Sequence, residues 1–297
     1  MAKHTLIVEH QGYRIDRYCS VFFPQVSSLK RAKKWMRNGW VTLNGQRVES
    51  SRFVEVGDCI ELTLPEEVIP VWEHPIDVLW EDAHLAVVYK PGGVPVHSND
   101  GKSLRNILGF VLERTTEADA LIQFEPVHRL DARTQGLMLI AKTANARAVL
   151  GNAFTERGQI RKWYQCLSIG TLSDGSSQEP LDGKDAHTEW RVLDTCPSVF
   201  TESLSLLEVQ IFTGRTHQIR KHLNMIGHPI LGDDVYHTGR PLKHKGLFLC
   251  AVRLAFTHPV TGLQLDISVP TPAKLLKRWA FEANRIMMRE ENHQEEP

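Results

Sequence analysis

His128-Arg129-Leu130-Asp131-Ala132-Arg133-Thr134-Gln135-Gly136-Leu137 sets one carboxylate between two arginines, just before a strand-like apolar run from Leu137 to Ala141. A carboxylate among cations stays ionised. That state suits a nucleophile or an electrostatic anchor better than a proton donor. An isolated Arg-Leu-Asp would be a surface turn with a structural ion pair. Three further segments give this one more weight.

The first is Tyr89-Lys90-Pro91-Gly92-Gly93-Val94-Pro95-Val96-His97, by itself a strand that ends in a tight turn with a surface lysine. The second is Arg161-Lys162-Trp163-Tyr164, where a strand tyrosine would ordinarily be core. In the third, Leu207 to His222, an apolar strand runs into Thr213-Gly214 and a helix opens around Thr216. Free N–H groups at such a helix start favour anions, and Arg220 falls on its first turns. His217 and His222 lack the H-E-x-x-H spacing, so no zinc site is expected.

Taken together these segments carry a resemblance. HRLDARTQG resembles the HRLD-x-x-T-S-G signature of the RluA-type pseudouridine synthases, which isomerise uridine in RNA. Lys90 to His97 resembles their N-K-P-x-G-x-x-V-H segment, and Lys162-Trp163-Tyr164 their K-x-Y. T-G-R-T-H-Q-I-R and G-H-P-I-L-G-D (227–233) are similar to the family's later motifs. Asp185-Ala186-His187-Thr188-Glu189 and the run from Leu247 to Pro259 extend the likeness to nearly the whole chain. The resemblance implies an α+β fold, with a catalytic domain on a mixed, largely antiparallel β-sheet. It makes Asp131 the catalytic carboxylate, Tyr164 the residue stacked on the base, and Arg220 the partner of Asp131. It assigns Arg129, Lys90, Arg215 and His217 to RNA contact. A flipped uracil needs an aromatic face to stack on, and a phenol can also assist proton transfer. Whether Asp131 attacks the sugar or the ring stays open. Gln135 stands in place of the usual serine, and Lys221 in place of an apolar residue.

The first 64 residues read as a separate unit. An amphipathic segment from Arg14 to Phe23 precedes Pro24; Ser27 or Ser28 caps a second helix and Gly39 ends it. Asn44-Gly45 between two strand-like runs signals a hairpin, and a strand follows at Cys59 to Leu64. The pattern resembles the small RNA-binding domain first known from a ribosomal small-subunit protein. Lys30, Arg31, Lys33, Lys34 and Arg37 on its second helix are then expected to meet RNA. Proline-rich residues 65–75 read as a linker, 76–289 as the pseudouridine synthase catalytic domain and 290–297 as a polar tail. In the larger part strands do not alternate strictly with helices, which favours a mixed α+β sheet over a doubly wound one. Strands are expected at 76–80, 85–90, 137–141, 163–169, 188–193, 204–212, 248–256 and 263–269. Helices are expected at 103–114, 143–157, 216–226 and 272–289, and a loop at 173–187.

Composition sets limits. A chain of 297 residues with 42% apolar content has material for about two domains and a real core. Five scattered cysteines argue for a reducing compartment rather than a disulfide frame or a zinc site. No signal peptide or membrane span is expected, so a cytoplasmic monomer is. Net charge is zero, yet Leu29 to Arg37 holds five cations and no acid, while Glu55 to Asp82 holds nine acids and no Lys or Arg. Phosphate binding follows the local patch. Pseudouridine formation needs no redox change or energy input, and no dinucleotide motif, P-loop or metal cluster occurs, so no cofactor and no metal are expected. Ribosomal RNA is favoured over tRNA as the partner. Two rival functions are an N-glycosidic hydrolase, which would want a second acid near Asp131, and a catalytically idle RNA binder. The joint presence of Asp131, Tyr164 and Arg220 speaks against the second.

Overall fold

The computed structural model describes residues 2–294 except 24, 25, 27, 65–70, 99, 157 and 238–245. Ser27 as a cap, most of the expected linker and the last three residues of the tail lie outside the described residues. The chain begins with β1 (Ala2–Ile7), α1 (Ile15–Phe22), α2 (Leu29–Arg37), β2 (Val41–Leu43), β3 (Gln46–Arg47) and β4 (Cys59–Leu64). These strands form an antiparallel sheet in the order β1-β4-β2-β3. Ser28 caps α2 by accepting from the Arg31 N–H at 3.3 Å. Ile15, Tyr18, Ala32, Trp35, Ile60 and Leu62 close a core of their own.

The second sheet draws on β5 (Val78–Glu81), β6 (Leu85–Lys90), β7 (Ala120–Pro126), β8 (Gln135–Thr143), β9 (Arg161–Ile169), β10 (Gly175–Ser177), β11 (Thr188–Ser198), β12 (Glu202–Ile211), β13 (Leu249–Thr257) and β14 (Gln264–Ser268). Helices α3 (Leu104–Val111), α4 (Ala144–Thr155), α5 (Gln218–Met225) and α6 (Ala273–Gln294) accompany it. The order is β10-β11-β12-β9-β13-β8-β6-β5, with β14 beside β13 and β7 beside β8. All described pairings are antiparallel except β13 with β8. Along β8, Met138 and Ile140 enter one core while Leu137, Leu139 and Ala141 enter another. A strand buried on both faces reads as a continuous apolar run, which is why Leu137–Ala141 stood out.

Four details differ from expectation. β1 was not expected, since Ala2-Lys3-His4-Thr5-Leu6-Ile7 does not alternate apolar and polar residues. Ala120–Pro126 is a strand although it ends in proline, a position where the missing N–H costs no ladder bond. The expected 173–187 loop contains β10. Helix α6 continues through Gln294, into the expected tail, on a run of good helix formers.

The parallel join holds the two halves of the large sheet together. It is two residues long, Cys250 opposite Gln135 and Ala251 opposite Gly136. Tyr164 pairs with Ala251 in turn. One row therefore runs Tyr164–Ala251–Gly136 across the sheet, and Gly136 lies five residues after Asp131. Gly136 has φ +124°, and a Cβ there would come within 2.1 Å of the Ala251 carbonyl oxygen. No side chain fits. Gly136→Ala is expected to lower the unfolding free energy by about 3 kcal/mol or more, through clash plus strain. Gly151→Ala on α4 meets nothing within 4 Å and is expected to add about 0.5–1 kcal/mol. Urea denaturation of both variants checks the pair; equal midpoints would show that the join tolerates a side chain.

Candidate active site

Arg220 stands on the first turn of α5 and is almost wholly enclosed. Its guanidinium makes a bidentate pair with Asp233, Nε to Oδ2 at 2.7 Å and Nη2 to Oδ1 at 2.8 Å. The third nitrogen, Nη1, donates to Asp131 Oδ2 at 3.3 Å. The two acids differ in exposure: the side chain of Asp233 is 0% exposed, that of Asp131 29%. Asp233 also accepts the backbone N–H groups of Val235 and Tyr236. Burial raises its carboxyl, but Arg220 and the two N–H donors outweigh burial and hold it below the ordinary 3.8. Its contribution to stability is thus present at neutral pH and lost only as pH falls through that lowered value. The Tyr236 ring covers the guanidinium at 5.1 Å. Arg220 therefore binds mainly to Asp233 and offers its third nitrogen to Asp131, the partner that the resemblance implied.

Asp131 opens into a pocket of 380 Å³ that Tyr164, His217 and Arg215 also line. Tyr164 is a β9 residue, buried on all sides but the pocket. Burial and the nearby Asp131 charge push its phenol well above the ordinary value. It is a neutral phenol, not a phenolate base, at physiological pH. His217 caps α5 in the left-handed region, φ +57°, which turns its ring toward the acid. Its Nε2 lies 3.6 Å from Asp131 Oδ2 and its Nδ1 bonds the Tyr236 hydroxyl at 2.9 Å. Gln218 fixes this turn. Its amide oxygen accepts from Thr213 Oγ1 and the Arg215 N–H, and its NH₂ donates to the His187 carbonyl and Thr188 Oγ1. Arg215 Nε donates to the Asp185 carbonyl, so the D-A-H-T-E segment buttresses the site.

The arginines flanking Asp131 do not hold it. Arg133 turns away to Asp234 and the Gly232 carbonyl, and Arg129 is exposed beside the pocket. His128 is structural: its Nε2 accepts the Leu139 N–H at 3.0 Å and its ring stacks on Phe154. Burial pushes it down to about 3, so it stays neutral.

Lys90 corrects an expectation. It is 0% exposed, so its ammonium cannot reach an RNA phosphate. Its Nζ donates to the carbonyls of Pro91, Val94 and Ala132 at 2.8–3.1 Å. Burial pushes it down to about 8, against the pull of Asp131, while three carbonyls match the three N–H bonds of the charged form. Lys90 fastens the K-P-G-G turn to the residue after Asp131. Gln135 donates to Cys250 Sγ at 3.0 Å, binding the other end of the loop to β13. Lys221, unexplained in the sequence, pairs with Asp182 at 2.8 Å and joins α5 to the loop between β10 and β11.

On α2 the five cations diverge. Lys30, Lys33, Lys34 and Arg37 are exposed, and at 100° per residue they share one face. Arg31 lies off that face, 3.7 Å from Glu125 of the large sheet and over the Trp35 ring. Lys33 is 3.6 Å from Asp16.

Asp233, Gln218 and Tyr236 escaped the sequence reading as site residues. A carboxylate that follows the apolar pair Ile230-Leu231 after one glycine is the one signal that marks Asp233. Lys90→Met is expected to leave the Pro91 and Val94 carbonyls without their donor, while Ala132 keeps the Gly93 N–H. At about 1 kcal/mol or more each, this lowers stability by about 2 kcal/mol. Chemical denaturation checks this, and a loss under about 0.5 kcal/mol, the size of a surface substitution, would mean that Lys90 is no clamp.

Comparison with known proteins agrees with this geometry. The profile of the RNA pseudouridylate synthase family matches residues 84–225, which hold Lys90, Asp131, Tyr164 and Arg220. The chain is 30% identical over 290 residues to an uncharacterized RNA pseudouridine synthase of Bacillus subtilis, covering 90% of this chain and 93% of that one. It is 31% identical to the ribosomal large subunit pseudouridine synthase D of Vibrio cholerae, over 90% of each chain. The solved structure of human RNA pseudouridylate synthase domain containing 4 has the same fold, with TM-score 0.54 over 67% of this chain and 90% of that chain at 24% identity. With nearly its full length matched and the buried row of motif residues converging on one pocket, the chain belongs to the RNA pseudouridine synthases.

Proposed function

We propose that this enzyme isomerises uridines of large structured RNA, ribosomal large-subunit RNA ahead of tRNA, at the Asp131 pocket. Similarity to ribosomal large-subunit synthases along 90% of the chain supports that choice of RNA. One observation carries the assignment of roles: Asp131 is the part-exposed acid in the pocket, 3.3 Å from an arginine whose other face is locked by a buried acid. The target uridine leaves its stack and its base lies against Tyr164. Asp131 then assists rupture of the C1′–N1 bond, acting at the sugar or the ring. The base turns without leaving, C5 bonds to C1′, and the C5 proton is lost. Arg220 orients Asp131. Arg215, His217 and Arg129 at the rim take the RNA backbone.

Residues 1–64 form, in this proposal, an RNA-binding domain joined by 65–75 to the catalytic domain at 76–289. The exposed face of Lys30, Lys33, Lys34 and Arg37 supports it. The protein acts in the cytoplasm as a monomer.

Asp131→Asn keeps shape and removes charge. Pseudouridine formation is expected to vanish while RNA affinity and melting temperature stay within error. Mapping pseudouridines in total RNA from cells carrying the variant checks the first point, and RNA titration and thermal unfolding of the purified variant check the second. Sites lost from tRNA but kept in large-subunit RNA would overturn the choice of RNA, and sites kept everywhere would overturn the role of Asp131. Replacing Lys30, Lys34 and Arg37 by Gln is expected to flatten the log affinity versus log salt slope by about two units, at roughly 0.7–0.9 per phosphate contact. An unchanged slope would leave RNA recognition to the catalytic domain alone.

A further inference from the structure

The pocket wall carries a further buried charge besides Arg220. Lys162 precedes Tyr164 by two residues on β9, so both side chains leave the same face of the strand, and both line the pocket. Lys162 is only 7% exposed. Its Nζ rests 5.6 Å from the centre of the Phe154 ring, which in turn stacks on His128. No carboxylate of the described residues acts on it; burial alone holds its ammonium below the ordinary lysine value. His128 offers no acceptor through Nε2, because that nitrogen already takes the Leu139 N–H. Buried charges are ordinarily paired, and a ring face is a partial substitute for water. The missing partner arrives with the substrate.

We infer that Lys162 is a further catalytic residue, which holds a carbonyl oxygen of the uracil ring while that ring is detached from the sugar. The inference rests on the roles given above to Asp131 and Tyr164. When C1′–N1 breaks, its electron pair stays with the ring and is shared by N1, O2 and O4. If Asp131 instead adds to the ring at C6, the electron pair of the C5–C6 double bond moves toward O4, so charge again develops on a carbonyl oxygen. A fixed cation aimed at that position stabilises charge as it develops, with no reorganisation at the moment of reaction. The turn of the ring strengthens the case. Rotation about the axis through C6 and N3 exchanges N1 with C5, as the reaction requires, and also exchanges O2 with O4. A cation beside one carbonyl before the turn meets the other afterwards. The ring thus keeps its partner while C5 takes the place of N1 and bonds to C1′. The C5 proton then leaves and N1 takes one up, so atoms and electrons balance. An ammonium is a rotatable point charge, better suited to an acceptor that is exchanged than a planar guanidinium fork.

Lys162→Met removes the charge at nearly constant volume, and Lys162→Ala leaves a gap. Each is mixed in excess with total RNA from cells lacking the protein, and pseudouridine is followed under single-turnover conditions at several enzyme concentrations. Asp131→Asn in parallel reports on the site assignment independently. For Lys162→Met the plateau rate is expected to fall about 100-fold, the effect of removing one preorganised donor, with the half-saturating enzyme concentration within about threefold. Ethylammonium is expected to restore part of the Lys162→Ala rate, and ethanol none. An unchanged plateau with a raised half-saturation would make Lys162 a phosphate contact and overturn the proposal. Unchanged values of both, or equal rescue by ethanol, would reduce it to packing and also overturn it.

Discussion

The site depends on one buried interaction, the fork between Arg220 and Asp233. A guanidinium and a carboxylate withdrawn from water are costly unless geometry is good and every remaining donor and acceptor is used. Here Asp233 takes two guanidinium bonds and two backbone N–H groups, and the Tyr236 ring closes the top. Arg220 is thereby fixed before any substrate enters, with its third nitrogen, Nη1, turned to the pocket side. That donor meets Asp131. The role proposed for Asp131 needs a cation that orients the acid without enclosing it, and the division of one guanidinium between a hidden acid and an accessible one supplies that.

The loop bearing Asp131 is held at several places by elements far away in sequence. Lys90 grips the Ala132 carbonyl from β6, Gly93 N–H donates to the same carbonyl, and Gln135 reaches Cys250 on β13. Beyond it Gly136 permits the close parallel join to Ala251, and that strand register sets Tyr164 opposite. Sheet geometry, not loop stiffness, thus fixes the distance between the acid and the aromatic face. Groups positioned by rigid elements are held more accurately than groups on free loops.

The sequence was most legible where chemistry and strand pattern coincide. Leu137–Ala141 read as a strand because both its faces are buried, and local motifs singled out Asp131, Tyr164 and Arg220, which the fold brings to one pocket. Partners settled by tertiary distance were not. Asp233 lies 13 residues beyond Arg220 and becomes its main partner only when the segment after α5 folds back. Lys90 looked like a surface turn lysine because nothing in K-P-G-G announces the Ala132 carbonyl 42 residues later. Arg129 and Arg133 looked like the cations of Asp131, yet in a turn adjacent residues point apart, and Arg133 finds Asp234 instead. Lys162 read as part of a family spacing, and only its burial beside Phe154 shows it as a charge without a counter-charge.

Double-mutant cycles on unfolding free energy test the division of Arg220 most directly. One cycle combines Arg220→Met with Asp233→Asn, the other Arg220→Met with Asp131→Asn. If Asp233 anchors and Asp131 is presented, the first coupling is about 2–3 kcal/mol and the second under about 1 kcal/mol, the range for a contact that water shares. Equal couplings, or a larger one to Asp131, would contradict the anchored arrangement and make Asp131 the structural partner of Arg220.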